Sequence, residues 1–208
     1  LTSKAEAEDK AKLIRGALLA PVVIEGRSLN VSCSIGVSMY PEDSTNLETL
    51  ISQADTVLYK SKADKKGQFL FYNNSISEQV KRKMNIESEL ICAIEKHQLS
   101  VNYQPQIRVS DEKLVSVEAL IRWQHPQLGC IYPDEFISIA EETGIINELG
   151  LFVFKKACED IYALSPNGKE ALKLSVNISP VQLLEPDFGP LLLDICHEVG
   201  IDPVRITL

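Results

Sequence analysis

From Leu99 to Leu208, strand-like and helix-like segments alternate, and this limits the possible folds more than any other feature of the sequence. Leu99–Ile107 and Leu114–Trp123 carry the apolar alternation of strands. Pro133-Asp134-Glu135 then opens a helix, with proline at a first-turn position and acids at the positive end of the helix dipole, and Gly144 ends it. A second helix over about Asn147–Leu164 presents Phe152, Val153, Ala157, Ile161 and Leu164. Leu172–Ile178 reads as a strand, Phe188–Val199 as a helix stopped by Gly200, and Arg205–Leu208 as the start of a further strand. Strands separated by helices pack as parallel β/α units.

The first part of the chain is organised differently. Leu13, Ile14, Ala17 and Leu18 share a helix face over Ala5–Leu19, and Pro21 ends that helix. Val22–Ile24 and Ser28–Tyr40 read as strands about the turn Glu25-Gly26-Arg27. Leu47, Leu50, Ile51, Ala54 and Leu58 mark a helix running to about Lys62, and Phe69–Tyr72 a short strand. A polar stretch, Asn73–His97, follows. Ser75-x-x-Glu78 has the form of a capping box, and Ile76, Val80, Met84, Ile91 and Ile94 recur at near-helical spacing. A charged helix with a narrow apolar stripe suits a connector between domains. The expected division is residues 1–73, a linker over 74–98, and 99–208.

Composition excludes several functions. With 21 Lys and Arg against 29 Asp and Glu, the net charge is −8. A protein that grips DNA or RNA through backbone phosphates needs a basic face, so neither is an expected partner; a small nucleotide needs only a few local cations or a metal. The 5 cysteines are dispersed, with no C-x-x-C pair, as expected of free thiols in a reducing cytoplasm. The 3 histidines form no H-E-x-x-H motif, which argues against a zinc hydrolase. No apolar run reaches the about 18 residues of a membrane span.

Two sets of motifs resemble known families. Cys33-Ser34-Ile35-Gly36-Val37-Ser38-Met39-Tyr40-Pro41, Gln53-Ala54-Asp55 and Leu58-Tyr59-Lys60-Ser61-Lys62 resemble the second half of GGDEF domains, the diguanylate cyclases that join two GTP molecules into cyclic di-GMP. That resemblance covers about Leu1–Tyr72. It implies GTP as a ligand and a triphosphate contact at Lys62. Lys66 falls where arginine is usual, keeping the charge without the bidentate geometry; Lys65 falls where glycine is usual. By themselves these lysines read as a solvated helix end favoured by the dipole.

Tyr103-Gln104-Pro105-Gln106-Ile107, the stretch from Val117-Glu118-Ala119-Leu120 to His125-Pro126, Ile131-Tyr132-Pro133-Asp134-Glu135-Phe136-Ile137 and Ser175-Val176-Asn177-Ile178-Ser179-Pro180 resemble EAL domains in order and spacing. EAL enzymes are cyclic di-GMP phosphodiesterases with a (β/α) barrel. The implied fold class is therefore α/β, the C-terminal part of a GGDEF domain followed by the first half of a TIM-type EAL barrel.

Phosphodiester hydrolysis needs an activated water and a neutralised phosphate, and Mg²⁺ or Mn²⁺ held by oxygen ligands supplies both. Glu118 and Asn177 read as strand-end residues, and strand C-termini share one barrel mouth. Alone, a strand glutamate reads as solvent-facing or paired, and a strand asparagine as a local hydrogen-bonding residue. The resemblance makes them metal ligands, with Glu118 catalytic. It makes Gln104 and Arg122 substrate contacts and puts Pro133 in a wall beside guanine. Arg122, four residues after Glu118, shares its strand face. Trp123 and His125 read as packing and loop-fixing groups, and Glu141 and Glu142 as a solvated helix face.

A full (β/α) barrel takes about 250 residues, and Leu99–Leu208 is under half of that. The family's remaining ligands are expected beyond Leu208, so the isolated segment is expected to turn over neither nucleotide. The parent protein is expected to be a dual GGDEF–EAL phosphodiesterase. It is expected to act as a homodimer, with these domains cytoplasmic and any inner-membrane anchor outside this segment. The alternatives are an inactive GGDEF–EAL signalling scaffold and a diguanylate cyclase.

Overall fold

The computed structural model describes residues 3–64, 67–167 and 171–208. The chain forms two units, Leu1–Met84 and Asn85–Leu208. No helix among the described residues is long and apolar enough to cross a membrane.

In the first unit, α1 (Lys4–Leu18) starts at Ser3, whose hydroxyl accepts the Glu6 N–H, and buries Ala7 and Ala11. Strands β1 (Val22–Ile24) and β2 (Arg27–Leu29) form an antiparallel hairpin. Its turn has positive φ at both Glu25 and Gly26, as a two-residue primed turn requires. Strand β3 (Ile35–Val37), helix α2 (Leu47–Asp64) and strand β4 (Phe69–Phe71) form a β-α-β unit with β3 and β4 parallel. The single strand expected over Ser28–Tyr40 is therefore two strands in two sheets. Side-chain alternation runs through the whole stretch, but a strand also needs a pairing partner. β2 finds its partner in the hairpin, and β3 finds one beyond α2.

Gly36 lets α2 lie directly on β3. A Cβ there would stand 2.0 Å from the Ala54 carbonyl oxygen and 2.8 Å from the Leu58 nitrogen. Adding a side chain to a strand glycine relieves an entropy cost of only about 0.5–1 kcal/mol, whereas overpacking costs about 1–3 kcal/mol or more. Both obstructing atoms are backbone and cannot swing aside. Gly36→Ala is thus expected to destabilise this unit by at least about 1–3 kcal/mol, read as a lower urea midpoint.

Helix α3 (Asn74–Ala93) is capped by the Asn73 side chain, which accepts the Ile76 N–H at 2.8 Å. The cap expected at Ser75 is displaced, because Ser75 already lies inside the helix. Asparagine caps as well as serine, and the earlier residue captures the free donors.

The second unit contains β5 (Leu99–Ile107), β6 (Leu114–His125), β7 (Gly129–Ile131), α4 (Pro133–Thr143), α5 (Ile146–Leu164), β8 (Lys173–Val176), α6 (Pro180–Leu183), α7 (Phe188–Val199), a 3-10 turn at Pro203–Arg205 and β9 (Ile206–Thr207). The sheet order is β5-β6-β8-β9, with β7 also paired to β6. β6–β8 and β8–β9 are parallel, as the alternation implies, but β5 and β7 run antiparallel to β6. The link from β5 to β6 is too short for the dozen or so residues a parallel crossover needs. It closes through an Arg108 N–H to Lys113 carbonyl bond and an Arg108–Asp111 ion pair.

One face of the sheet is apolar. Val117, Ala119, Leu174 and Val176 bury against α5 and α7 through Val153, Phe154, Ala157, Phe188 and Leu192. On the same face Tyr103 donates to Asp160 at 2.8 Å, and burial, then Asp160, push its phenol pKa well above the usual value. A second cluster forms around Trp123, which is fully buried, stacks edge-on against Phe136 and donates to Gln98 at 3.0 Å. His125 Nδ1 accepts the Gln127 and Leu128 N–H groups, fixing the turn before β7. Trp123 and His125 thus pack and fix a loop.

Arg205, 5% exposed, ties the C-terminal end of α5 to the start of β8. Its guanidinium donates to the Ser165 carbonyl at 2.7 Å, to the Leu172 carbonyl twice, and to the Asn167 side chain at 3.0 Å.

Candidate active site

The sheet face opposite α5 and α7 carries the polar residues. Gln104 on β5 lies directly across from Glu118 on β6, and Ser175 on β8 flanks Glu118 on the other side. Residues in cross-strand register share a face, so the three side chains project together. Asn177, just past β8 and two residues after Ser175, continues on that face. Its side-chain N–H donates to Glu118 Oε1 at 2.7 Å. Glu118 is half-buried, and Gln104 and Asn177 are exposed.

Glu118 is not at a strand end. It lies within β6, which runs on to His125 because β5 and β7 continue to pair with it. Parallel pairing to β8, however, stops at Ala119–Val176. Glu118 therefore sits where β8 ends and its loop begins, and this brings Asn177 within hydrogen-bonding reach.

Beside this pair lies a cavity of about 340 Å³, walled by Arg122, Pro133, Ile137, Glu141, Ile146 and Asn177, among others. Arg122 follows Glu118 on the same face of β6, as period 2 requires, and one of its nitrogens donates to the Ile121 carbonyl at 2.8 Å. Pro133 sits at the first turn of α4. Asn177 belongs to both the carboxylate pair and the cavity, whereas Glu118 and Gln104 stand outside the cavity wall. Lys62 is in the other unit, exposed in the last turn of α2. Lys65 and Lys66 lie outside the described residues.

Three further side chains belong to this site and carry no role in the sequence reading. Glu141 reads from the sequence as part of a solvated helix face, yet it lines the cavity and its carboxylate accepts the Ser179 hydroxyl. Ser179 also caps α6, accepting the Val181 N–H. Gln182, 1% exposed, returns its side-chain oxygen to the Ser179 N–H at 2.9 Å and donates to the Ile146 carbonyl at 3.0 Å. Ser179-x-x-Gln182 is a capping-box pattern, so the signal was present in the sequence. The Glu141 contact had no such signal, because the two residues are joined only by the fold.

Comparison with known proteins gives a consistent result. The EAL domain family matches residues 87–208, and the family described as diguanylate cyclase, GGDEF domain, matches residues 1–68. The chain is 34% identical over 177 residues to cyclic di-GMP phosphodiesterase NbdA of Pseudomonas aeruginosa, covering 85% of this chain and 23% of that protein. It is 32% identical over 209 residues to cyclic di-GMP phosphodiesterase PdeR of Escherichia coli, covering 100% of this chain and 31% of that protein. The chain thus spans about a quarter to a third of these relatives. Among solved structures, the PaMucR phosphodiesterase in complex with c-di-GMP aligns with a TM-score of 0.56 at 30% identity, over 59% of this chain and 49% of that one. The apo S helix-GGDEF-EAL structure of Vibrio cholerae LapD aligns with a TM-score of 0.53 at 15% identity, over 99% of this chain and 46% of that one, a likeness of fold alone. The chain belongs to the EAL domain family, with the C-terminal part of a GGDEF domain ahead of the first half of its TIM-type barrel.

Proposed function

We propose that the protein containing this chain is a metal-dependent phosphodiesterase that opens cyclic di-GMP to linear pGpG. The observation that carries this reading is the hydrogen-bonded Glu118–Asn177 pair at the edge of a cavity walled by Arg122 and Pro133. Relatives named as cyclic di-GMP phosphodiesterases over this same segment support it.

The donor set suits Mg²⁺ or Mn²⁺. Both ions prefer hard oxygen ligands, and a carboxylate and an amide oxygen are of that kind. The 2.7 Å contact, made through the Asn177 amide nitrogen, brings the two side chains together, and ligation would use the oxygen of the same amide. Among the described residues no group of three or more His, Cys, Asp or Glu could hold a metal; in this reading Glu118 and Asn177 are two members of the ligand set. When bound, the ion lowers the pKa of water and offsets phosphate charge.

The chain's own side chains do the rest. Glu118 and Asn177 would hold the ion. Arg122, four residues further along β6 in the cavity wall, neutralises a phosphate oxygen as charge develops there. Gln104, across from Glu118, orients the substrate by hydrogen bonding. Pro133 forms the wall against which a guanine packs. Hydrolysis adds water oxygen to one phosphorus, breaks one phosphorus–oxygen ester bond, and leaves a hydroxyl on the departing sugar. In the GGDEF part, Lys62 and Lys66 are assigned to the triphosphate of GTP. The same reading makes the full-length protein a homodimer with both domains in the cytoplasm.

The test is full-length protein with cyclic di-GMP and Mg²⁺ or Mn²⁺, its products resolved by chromatography. Linear pGpG is expected, and EDTA is expected to stop its formation. Binding of cyclic di-GMP with no product at any metal concentration would replace this reading with the inactive scaffold.

A further inference from the structure

We propose that Gln182 is a positioning residue for Asn177, acting as a buried clamp that holds the loop after β8 against the α4–α5 junction. This rests on the reading of Asn177 as a metal ligand.

A glutamine that is 1% exposed on a short helix is costly unless both ends of its amide are used. Here both are. The oxygen accepts the Ser179 N–H at 2.9 Å, and the nitrogen donates to the Ile146 carbonyl at 3.0 Å. Ser179 is only two residues from Asn177, so the clamp sets where the Asn177 backbone leaves β8. The Ser179 hydroxyl adds a second tie, donating to Glu141 on α4. The loop is thereby fastened to both helices that wall the cavity.

Gly150 supplies the space. A Cβ at this position in α5 would lie 1.9 Å from the Gln182 side-chain nitrogen. Glycine inside a helix costs up to about 1 kcal/mol relative to alanine, and here its absence of a side chain admits the amide. The obstructing atom is the far end of a flexible side chain, so Gly150→Ala should leave a folded protein with the clamp displaced. It therefore complements Gln182→Met, which keeps the volume and removes both hydrogen bonds.

The experiment is a Mn²⁺ titration of the substrate-free full-length protein, followed by the electron paramagnetic resonance of free Mn²⁺. Glu118→Ala identifies the binding due to this site. Losing a partner that orients a ligand typically costs about 10–100-fold in metal affinity. Gln182→Met and Gly150→Ala are each expected to weaken Mn²⁺ binding about 10-fold. In an Asn177→Ala background, Gln182→Met should add almost nothing. Loss in Glu118→Ala with none in the two clamp variants would overturn the clamp and leave the site standing. A Gln182→Met effect that persists in full without Asn177 would also overturn it. Unchanged Mn²⁺ binding in Glu118→Ala would overturn the site assignment and the clamp together.

Discussion

Glu118→Ala in the full-length protein is expected to reduce cyclic di-GMP turnover below detection, the largest effect of any single substitution in this chain. The substitution removes the charged member of the Glu118–Asn177 pair and leaves the Asn177 amide without its 2.7 Å acceptor. Folding should survive, because Glu118 is half-buried on the polar face of the sheet, away from the core formed by Val117 and Ala119. Glu118→Gln separates two explanations. It keeps the shape and an acceptor for Asn177 but removes the charge. If Glu118 only braced the loop, Glu118→Gln would retain most activity; as a metal ligand it should lose nearly as much as alanine. Arg122→Ala is the milder comparison, since losing one donor to a transition-state oxyanion costs about 10²–10³ in rate. Measured rates for all three variants beside wild type decide the matter. Near wild-type turnover in Glu118→Gln would sink the ligand role.

Arg205→Met is expected to produce the largest loss of stability. Burial pulls the guanidinium pKa down, but an arginine starts so far above neutrality that the group stays charged. Its hydrogen bonds go to the Ser165 and Leu172 carbonyls and to Asn167, with no carboxylate among these partners. A cation stabilised by carbonyls near the C-terminal end of α5 also meets the negative end of that helix dipole. Methionine fills much of the volume and takes the guanidinium donors away from the Ser165 and Leu172 carbonyls, whereas Asn167 keeps the Asp202 N–H. Hydrogen bonds to a charged group are worth about 1.5–3 kcal/mol each, but they share one side chain and do not add fully, so a loss of about 3–5 kcal/mol is expected. Arg205→Lys should recover part of it, because a point charge lacks the planar fork that reaches several acceptors at once. Urea unfolding of the three proteins measures this directly. A change under about 1 kcal/mol for Arg205→Met would mean that water replaces the guanidinium at low cost.

What the sequence determined by itself was local or carried by linear motif. Side-chain periodicity located α1, α2, α3 and α5 and most strands, and the start signal at Pro133 with the stops at Gly144 and Gly200 located α4 and α7, because such patterns are properties of consecutive residues. The ordered blocks around Glu118, Pro133 and Asn177 identified the family for the same reason. Pairing was another matter. Alternation over Ser28–Tyr40 is blind to partners, and only the fold shows one stretch serving two sheets. Strand directions were likewise decided in three dimensions, where the short Arg108–Lys113 link forces β5 to return antiparallel and so places Gln104 opposite Glu118. The Glu141–Ser179 and Ile146–Gln182 ties join residues 38 and 36 positions apart, and Gly150 has meaning only because Gln182 arrives beside it. A side chain's type and spacing can announce that it wants a partner. Which partner it meets depends on the helix and strand packing that brings distant segments together.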